Sequence, residues 1–491
     1  MIAAGTTGLI AATAAGQARA AARGRLDTAD GTPEQIHLTW DDAPTRTIVV
    51  SWASPGQAVR PRVRIGQRVI PATERTSADP LSGAVTWTYH ARVDGLRPGA
   101  TYGYAVTTDN DGNVADPFSA TFTTAPEGRA AFRFTSFGDL ATPNPAWATS
   151  GRAPYAVGAV ETFQPLFHLL NGDLACAELS PGADPAAWAQ VLRDCGNSVQ
   201  GSAASRPWLP VPGSHAPEAG AGAAGLASFL TRYALPPNGV DGLEGRWYAF
   251  RVGAVLFVCL SGDDVTPGRG YSGGAQTAWL ESTLAAARAD SSVDWIIVQF
   301  HQAACSSAPD GNGSGLGARR QWLPLFDAYE VDLVLSGHHD TYERSFPVRG
   351  VRPLAGGPTR TSWPRPVTTA DSGVFDTSQG TVHLALGGGV LPAPRVAGDG
   401  AGPDGAARTA ARQARRAPST GYGIAVFDVH PGHDAGGQTS ISVRYYHAAG
   451  QDPANLALGA PADDFTLFDS FTLLRPRSDG RRWHPQGALA T

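Results

Sequence analysis

The chain has 491 residues, a formal net charge of −5 and 16% charged residues. It is therefore long enough for two or more domains with a large core, and it lacks the dense basic patch typical of nucleic-acid-binding proteins. Its four cysteines are too few for a disulfide scaffold. No run beyond the N-terminus reaches the ~20 apolar residues that a membrane span needs.

Residues 1–31 form a signal-like, Ala-rich N-terminus. Residues 1–20 are small and apolar and end in Ala18-Arg19-Ala20, which resembles the apolar region and cleavage site of a secretory signal. The positively charged start of such a signal is absent. We therefore expect a secreted or cell-envelope protein with an incomplete signal peptide, and an ordinary disordered tail is the alternative.

Residues 32–126 are predicted to form an all-β domain. Apolar and polar residues alternate in Ile36–Trp40 and Thr47–Trp52, which is the period of a strand with one buried face. Leu96–Tyr102 resembles the turn and tyrosine corner of a fibronectin type III sandwich. No catalytic cluster is visible here, so we expect a packing or interaction role.

Residues 130–475 are predicted to form a layered α/β domain, because strands, loops and helices alternate from Phe132 onward. The Gly-, Ala-, Pro- and Arg-rich residues 391–420 predict a flexible insertion within it, and residues 476–491 a tail. Three segments have helical patterns: Pro185–Leu192, Leu226–Tyr233 and Ala275–Ala289.

Five apolar segments of this domain end in Asp or His. Ligands of open α/β sheets bind at the carboxyl ends of the strands, and Asp and His supply the oxygen and nitrogen ligands of two-metal sites that cleave phosphate esters. Taken singly, each Asp can be a cap or turn residue and each His a buried core residue. Together they predict one polynuclear metal site. The segments are Phe134–Asp139, Leu169–Asp173, Leu209–His215, Trp295–His301 and Val331–His338.

Over residues 33–475 the chain resembles the purple acid phosphatase family of binuclear metallophosphoesterases, in particular bacterial members with an N-terminal fibronectin-like domain. The resemblance implies an α/β (α+β) metallophosphoesterase four-layer β-sandwich flanked by helices, preceded by an all-β fibronectin III-like sandwich. Besides the metal motifs, the resembling segments are Pro33–Trp40, Arg269–Gly274, Gln321–Phe326 and Gly387–Gly389.

The resemblance implies that four of seven expected metal ligands are intact. Asp173 would bridge the two metal ions, Asp139 would complete one of them, and His301 and His338 would complete the other. His215 matches the family's third motif and would stand beside the phosphate, as a donor to its oxygens or to the leaving group.

Three expected ligands are changed. Cys176 stands where the family has the tyrosine that colours its iron, Ser214 replaces an asparagine, and Asp340 replaces a histidine. Cys176 can bind metal as a thiolate, or it can form a disulfide with Cys195. Ser214 is a weak neutral ligand. The resemblance therefore implies two metal ions (Fe, Zn or Mn), the second held more weakly. Two further residues depart from the family's motifs: Ala141 replaces the last glycine of the first motif, and Ala216 replaces the glutamate of the third.

The expected function is that of an exported, acid phosphatase-type hydrolase that cleaves small phosphate monoesters with a metal-activated hydroxide. The alternative is a catalytically impaired pseudo-phosphatase that acts as a binding or surface protein, which the three altered ligands and the β domain favour.

Overall fold

The structure is a computed structural model. It describes residues 31–78, 85–110, 113–114, 117–140, 152–174, 185–214, 226–306, 314–339, 341–352, 363–387, 413–416, 421–449 and 465–480. Two predicted features lie wholly or almost wholly outside these residues, namely the signal-like N-terminus and most of the insertion at 391–420. Within that insertion, Gln413–Arg416 forms a strand.

The N-terminal part of the chain is a β sandwich. Two four-stranded antiparallel sheets have the orders β1-β2-β6-β5 and β10-β7-β3-β4. Alternate residues such as Ile36 and Leu38 of β1 are fully buried, as a strand with one apolar face requires. The strands are β1 (Glu34–Thr39), β2 (Ile48–Ser54), β3 (Arg62–Ile65), β4 (Arg68–Pro71), β5 (Thr73–Ala78), β6 (Val85–Val93), β7 (Thr101–Thr107), the short pair β8 (Asp109–Asn110) and β9 (Asn113–Val114), and β10 (Phe118–Thr123).

The strands and helices that follow form a layered α/β part. The strands are β11 (Phe132–Phe137), β12 (Phe167–Leu170), β13 (Trp208–Pro210), β14 (Tyr248–Val252), β15 (Val255–Cys259), β16 (Trp295–Gln299), β17 (Leu333–Ser336), β18 (Tyr342–Ser345), β19 (Val348–Arg352), β20 (Trp363–Pro366), β21 (Val374–Asp376), β22 (Val382–Leu386), β23 (Gln413–Arg416), β24 (Gly421–His430), β25 (Gln438–Ala449) and β26 (Thr466–Pro476). The helices are α1 (Arg152–Phe163), α2 (Pro185–Ala203), α3 (Ala227–Arg232), α4 (Ala275–Ala289), α5 (Ser314–Gln321) and α6 (Leu323–Ala328), with 3-10 turns at Gly262–Val265 and Ser478–Gly480.

Within the described residues, most of these strands form two seven-stranded sheets. Their orders are β13-β12-β11-β24-β25-β26-β21 and β14-β15-β16-β17-β22-β18-β23. In β16, Trp295 and Ile297 face the core shared by both sheets, whereas Ile296 and Val298 face α4 and α6. Helices α1 and α2 cover the outer face of the other sheet. The order helix, sheet, sheet, helix confirms the predicted four-layer fold.

The strand directions bring the five sequence segments to one end of the sandwich. Strands β11, β12 and β13 are parallel in one sheet, and β15, β16, β17 and β22 are parallel in the other. The N–H of Gly138 donates to the carbonyl of Leu386 at 2.7 Å, which joins the carboxyl ends of β11 and β22. Residues that follow parallel strands of both sheets therefore meet there.

Helix α2 is longer than the sequence predicts, because its second half packs on the N-terminal sandwich. The pattern predicts Pro185–Leu192, but the helix continues to Ala203. Oδ1 of Asn197 accepts the N–H of Gln35 at 3.1 Å and Oε1 of Gln200 accepts the N–H of Ile36 at 2.9 Å. Contacts between elements so distant in sequence are not visible in a local pattern.

Helix α3 ends against the N-terminal sandwich. The last carbonyls of a helix have no hydrogen-bond partner within the helix. Here, side chains from three strands of the sandwich donate hydrogen bonds to the carbonyls at and just after the end of α3. The donors are Arg75 to the carbonyl of Leu230, His90 to Thr231, His37 to Arg232 and Thr39 to Ala234.

None of the helices in the described part of the chain is long and apolar enough to cross a membrane.

Candidate metal centre

Three residues of the predicted site have an unusual backbone conformation. Asp139, Asp173 and His338 have φ angles of 60°, 51° and 71°. Residues other than glycine seldom adopt positive φ, and such strained residues cluster at functional sites. Each of the three stands two or three residues after the end of a strand, where the chain turns sharply and directs a polar side chain across the sheet edge.

Two of these carboxylates lie next to a buried imidazole. Nε2 of His301 is 2.9 Å from Oδ2 of Asp173, and Nδ1 of His301 donates to the carbonyl of Asn171 at 2.8 Å. That backbone bond holds the ring so that Nε2 faces the cluster, which is how metal-binding histidines are commonly oriented. One ligand atom each from Asp139, Asp173 and His301 lies within 4.8 Å of the others.

His338 and Ser214 complete the cluster. Nδ1 of His338 is 3.3 Å from Nε2 of His301, and its backbone N–H donates to Oδ2 of Asp139 at 2.9 Å. Oγ of Ser214 donates to Oδ2 of Asp173 at 3.2 Å, and it lies 3.2 Å from Nε2 of His301 and 3.5 Å from Nδ1 of His338. Five of the predicted ligand residues therefore lie in contact with one another.

Two glycines of the motifs make this close approach possible. A Cβ atom on Gly213 would lie 1.9 Å from Oδ1 of Asp173, and one on Gly337 would lie 2.6 Å from Oδ2 of Asp139. Both distances are shorter than real atoms allow. The glycine before each ligand position therefore has a steric reason: any side chain there would displace a carboxylate of the cluster.

The electrostatics of the cluster favour a positive charge at its centre. Asp139, Asp173 and His301 are all buried, and buried charges require a partner or a metal ion. Burial alone lowers the pKa of His301, but the Asp173 carboxylate and then Asp139 outweigh it and raise this pKa to about 10. A set of carboxylate oxygens and imidazole nitrogens suits Fe, Zn or Mn, so the residues present fit a metal ion.

The remaining predicted site residues lie outside the described part of the chain. These are Cys176, His215 and Asp340. The roles of Cys176 as a thiolate ligand or as the disulfide partner of Cys195 therefore stay predictions. The same holds for His215 as a donor to the phosphate and for Asp340 as an oxygen ligand. Among the described residues, one group of three metal ligands is present.

Sequence reasoning missed a further buried carboxylate beside this site. Asp263 follows β15, the parallel neighbour of β16, and its carboxyl interacts electrostatically with both His301 and Asp173. The signal was present, because Val255–Asp263 is an apolar run that ends in Ser-Gly-Asp like the five predicted segments.

Comparison with known proteins gives relatives along most of the chain. Residues 33–125 match the family described as "Purple acid Phosphatase, N-terminal domain". An uncharacterized protein of Mycobacterium tuberculosis is 38% identical over 486 residues, which cover 90% of this chain and 87% of that protein. Purple acid phosphatase 1 of Ipomoea batatas is 25% identical over 338 residues, covering 65% and 66%. Fe(3+)-Zn(2+) purple acid phosphatase 12 of Arabidopsis thaliana is 24% identical over 333 residues, covering 64% and 65%.

A solved structure has the same fold. Purple acid phosphatase PPD1 from yellow lupin (Lupinus luteus) seeds matches with a TM-score of 0.64 and 18% identity, over 94% of this chain and 78% of that chain. The match extends over both the β sandwich and the α/β part described above. This likeness shows the fold. The match of residues 33–125 and the related sequences show that the chain belongs to the purple acid phosphatase-like family.

Proposed function

We propose that this protein is a metal-dependent phosphoesterase that hydrolyses small phosphate monoesters. The observation that carries the proposal is the convergence of Asp139, Asp173, His301 and His338 at the strand ends of a purple acid phosphatase-like chain. The name of the Arabidopsis relative, which specifies Fe(3+) and Zn(2+), supports two ions at such a site.

The residues of this chain have separate roles in the proposal. Asp139 and Asp173 would hold one ion, with Cys176 as an additional ligand, and Asp173, His301 and His338 would hold the other. Two ions at such a site supply a hydroxide nucleophile and neutralise the phosphate oxygens. The hydrogen bond from Nδ1 of His301 to the carbonyl of Asn171 leaves Nε2 available as the ligand atom, directed at the cluster.

Residues outside the described part complete this assignment. Asp340 is proposed to offer an oxygen ligand in place of the family's second imidazole. His215 is proposed to donate a proton to the leaving oxygen or to a phosphate oxygen. Export is also part of the proposal, and it rests on the sequence of residues 1–20 alone.

One observation favours a second candidate, a catalytically impaired pseudo-phosphatase that acts as a binding or surface protein. Ser214 stands where the family has an asparagine ligand, and its hydroxyl lies 3.2 to 3.5 Å from Oδ2 of Asp173, Nε2 of His301 and Nδ1 of His338. A short neutral hydroxyl is a weak metal ligand, so an ion bound there is held by fewer strong donors.

Elemental analysis and turnover of one preparation distinguish these two functions. We expect the purified protein to contain Fe, Zn or Mn and to hydrolyse para-nitrophenyl phosphate. His301→Ala should remove most of the metal and the activity, whereas His430→Ala, at an exposed position, should remove neither. Bound metal without turnover would support the pseudo-phosphatase, and a protein that binds no metal under any loading condition would contradict the proposal.

A further inference from the structure

A buried carboxylate lies one strand away from His301. The 3-10 turn Gly262–Val265 follows β15, and β15 is paired in parallel with β16, the strand that leads to His301. Parallel strands end at the same edge of a sheet, so Asp263 is placed beside the metal centre. It is 5% exposed, and a carboxylate so deeply buried needs a reason to be there.

Asp263 is tied to the residue that follows His301. Nε2 of Gln302 donates to Oδ1 of Asp263 at 2.7 Å, and Gln302 is 1% exposed. The opposite atom of this amide, Oε1, is buried and has no hydrogen-bond partner in the described structure. A Cβ atom on Gly262 would lie 1.7 Å from that oxygen. The 3-10 turn and Gln302 therefore fit together closely, and only a glycine permits it.

The charge of Asp263 acts on the same site. The pKa of Asp263 is raised above its ordinary value, and burial is the largest cause. The charge of Asp173 also raises this pKa, whereas the charges of Arg269 and His301 lower it. Its carboxyl therefore interacts with both members of the His301–Asp173 pair. Nη1 of Arg269 lies 3.2 Å from Oδ2 of Asp263, and this ion pair favours the charged form of the carboxyl.

Asp264, the adjacent residue, serves a different purpose. It accepts the N–H groups of Tyr271 and Ser272 and bonds the side chains of Ser272 and Gln276, so it organises the loop that leads to α4. Asp263 has no such bonds to backbone N–H groups among those of the described structure. Its side-chain partners are Arg269 of the same loop and Gln302, the residue after His301, so the bond to Gln302 is its link to the metal centre.

We propose that Asp263 is a positioning residue of the metal centre. Through Gln302 it fixes the loop that carries His301, and its negative charge favours a cation at the cluster, while Arg269 opposes that charge. This inference rests on the proposed function, because it concerns the affinity of the same site for metal. Partners of this kind that lie outside the ligand set commonly change metal affinity by about 10- to 100-fold.

The test is the dissociation constant of Zn²⁺, and separately of Mn²⁺, for the full chain, measured by competition with a chromogenic chelator. Asp263→Asn keeps an oxygen for Gln302 and removes the charge, and we expect it to weaken binding about 10-fold. Gln302→Leu keeps the charge and removes the hydrogen bond, and it should also weaken binding. Arg269→Gln should act in the opposite direction and tighten binding, which general damage to the fold would not do.

Asp327 provides the matched control. It is a partly buried carboxyl of α6 whose pKa is raised by burial and which accepts the N–H of Gly350, so Asp327→Asn removes a comparable charge elsewhere. We expect its metal affinity to equal that of the parent. If Asp263→Asn does not fold, as circular dichroism would show, the sign of the Arg269→Gln effect decides.

The outcomes separate this inference from the proposed function. A parent chain that binds metal, with Asp263→Asn unchanged or with Arg269→Gln also weakened, overturns the inference alone. An equal loss in Asp327→Asn overturns it as well, because the effect would then belong to any buried carboxylate. A parent chain that binds neither ion overturns both.

Discussion

The side chain of Ser214 occupies the centre of the cluster but contributes little to it chemically. Its hydroxyl lies within 3.5 Å of Asp173, His301 and His338. A hydroxyl is neutral and short, so it bonds the ligands to one another without adding a strong donor toward an ion. Asp139 and Asp173 have positive φ angles, and this backbone conformation directs their carboxylates toward the cluster around Ser214.

Replacing Ser214 with the family's asparagine should strengthen metal binding. The amide oxygen of Ser214→Asn extends farther and is a better oxygen ligand than a hydroxyl, so we expect the affinity for Zn²⁺ or Mn²⁺ to rise about 10-fold, in the range that site partners produce. The measurement is a chelator competition. Ser214→Ala is the control and should not bind more tightly than the parent. Equal affinities of the Asn and Ala variants would contradict the assignment of this position.

The end of α3 is an element whose stability depends on pH. Nε2 of His90 donates to the carbonyl of Thr231 at 2.9 Å, and Nδ1 lies 2.7 Å from Oγ of Ser51, so the neutral ring is satisfied at both nitrogens. Burial, then the charge of Arg75, lowers the pKa of His90 to about 3, although the Thr231 carbonyl acts in the opposite direction. The charge of neighbouring His37 also lowers the pKa of His90, and the charge of Arg232 lowers the pKa of His37 in turn.

Acid should therefore destabilise this interface. The unfolded chain protonates His90 near pH 6.5 and the folded chain near pH 3, so its contribution is complete above pH 6.5 and is lost as the pH falls toward 3. The full effect is on the order of 5 kcal/mol. We expect His90→Gln to lose less free energy of unfolding between pH 7 and pH 4 than the parent, measured by urea denaturation.

Exposed His430 provides the control for this measurement. His430→Gln should follow the pH dependence of the parent, because this exposed side chain of β24 lies outside the contacts between α3 and the sandwich. If His90→Gln and the parent have the same pH dependence, His90 does not titrate differently on folding.

At the amino end of β17, Asp332 joins three layers of the α/β part. It is fully buried, pairs with Arg288 of α4 at 2.7 Å and with Arg475 of β26, and accepts the N–H of Ile296 at 2.8 Å. Burial raises the pKa of Asp332, but the two arginines outweigh it and the net shift is downward. This network lies at the opposite end of β17 from the metal centre.

Removing Asp332 should lower stability without changing the metal centre. Asp332→Ala removes the carboxylate shared by two buried guanidinium groups, of which Arg475 keeps a longer contact with Glu330 at 3.5 Å. Breaking a buried pair in this way typically costs about 3–5 kcal/mol. We expect that loss in the free energy of unfolding, with unchanged metal affinity of the folded protein. Glu127→Ala breaks an exposed pair with Arg46 and should cost less than about 1 kcal/mol. Weakened metal binding by folded Asp332→Ala would show that the two ends of the sheet are coupled.

At the scale of the whole molecule, the β sandwich and the α/β part share one hydrophobic core. Trp40, just after β1, packs on Phe167 and Phe250 with ring centroids 5.0 and 5.7 Å apart, and the same cluster continues through both seven-stranded sheets. The buried ends of α2 and α3 add polar contacts to this junction. Such continuity favours unfolding of the molecule as one unit.

Calorimetry should accordingly show a single unfolding transition. Trp40→Ala creates a cavity at the junction, which typically costs about 3–5 kcal/mol, and it should lower the temperature of that one transition. Val69→Ala, at an exposed position of the sandwich, is the control and should leave it nearly unchanged. Two transitions, with only one displaced by Trp40→Ala, would show that the two parts unfold separately.

Much of the fold follows from local patterns in the sequence. Alternation in Ile36–Trp40 predicts a strand with one buried face, and the apolar runs before Asp139 and His301 predict buried strands that end in polar residues. Helix α4 lies where its pattern predicts, at Ala275–Ala289. These features are local, because the period of buried side chains and the conformations that a residue permits depend on its near neighbours.

The tertiary structure decided which of these residues meet. Nothing local places Asp173 of one sheet 2.9 Å from His301 of the other, because that distance depends on how two sheets stack and on their strand directions. The length of α2 and the position of Asp263 beside the cluster were likewise set by packing against distant elements. The sequence by itself determined the ligand types and their order along the chain, whereas their convergence into one charged, buried cluster required the packed core that holds both sheet edges together.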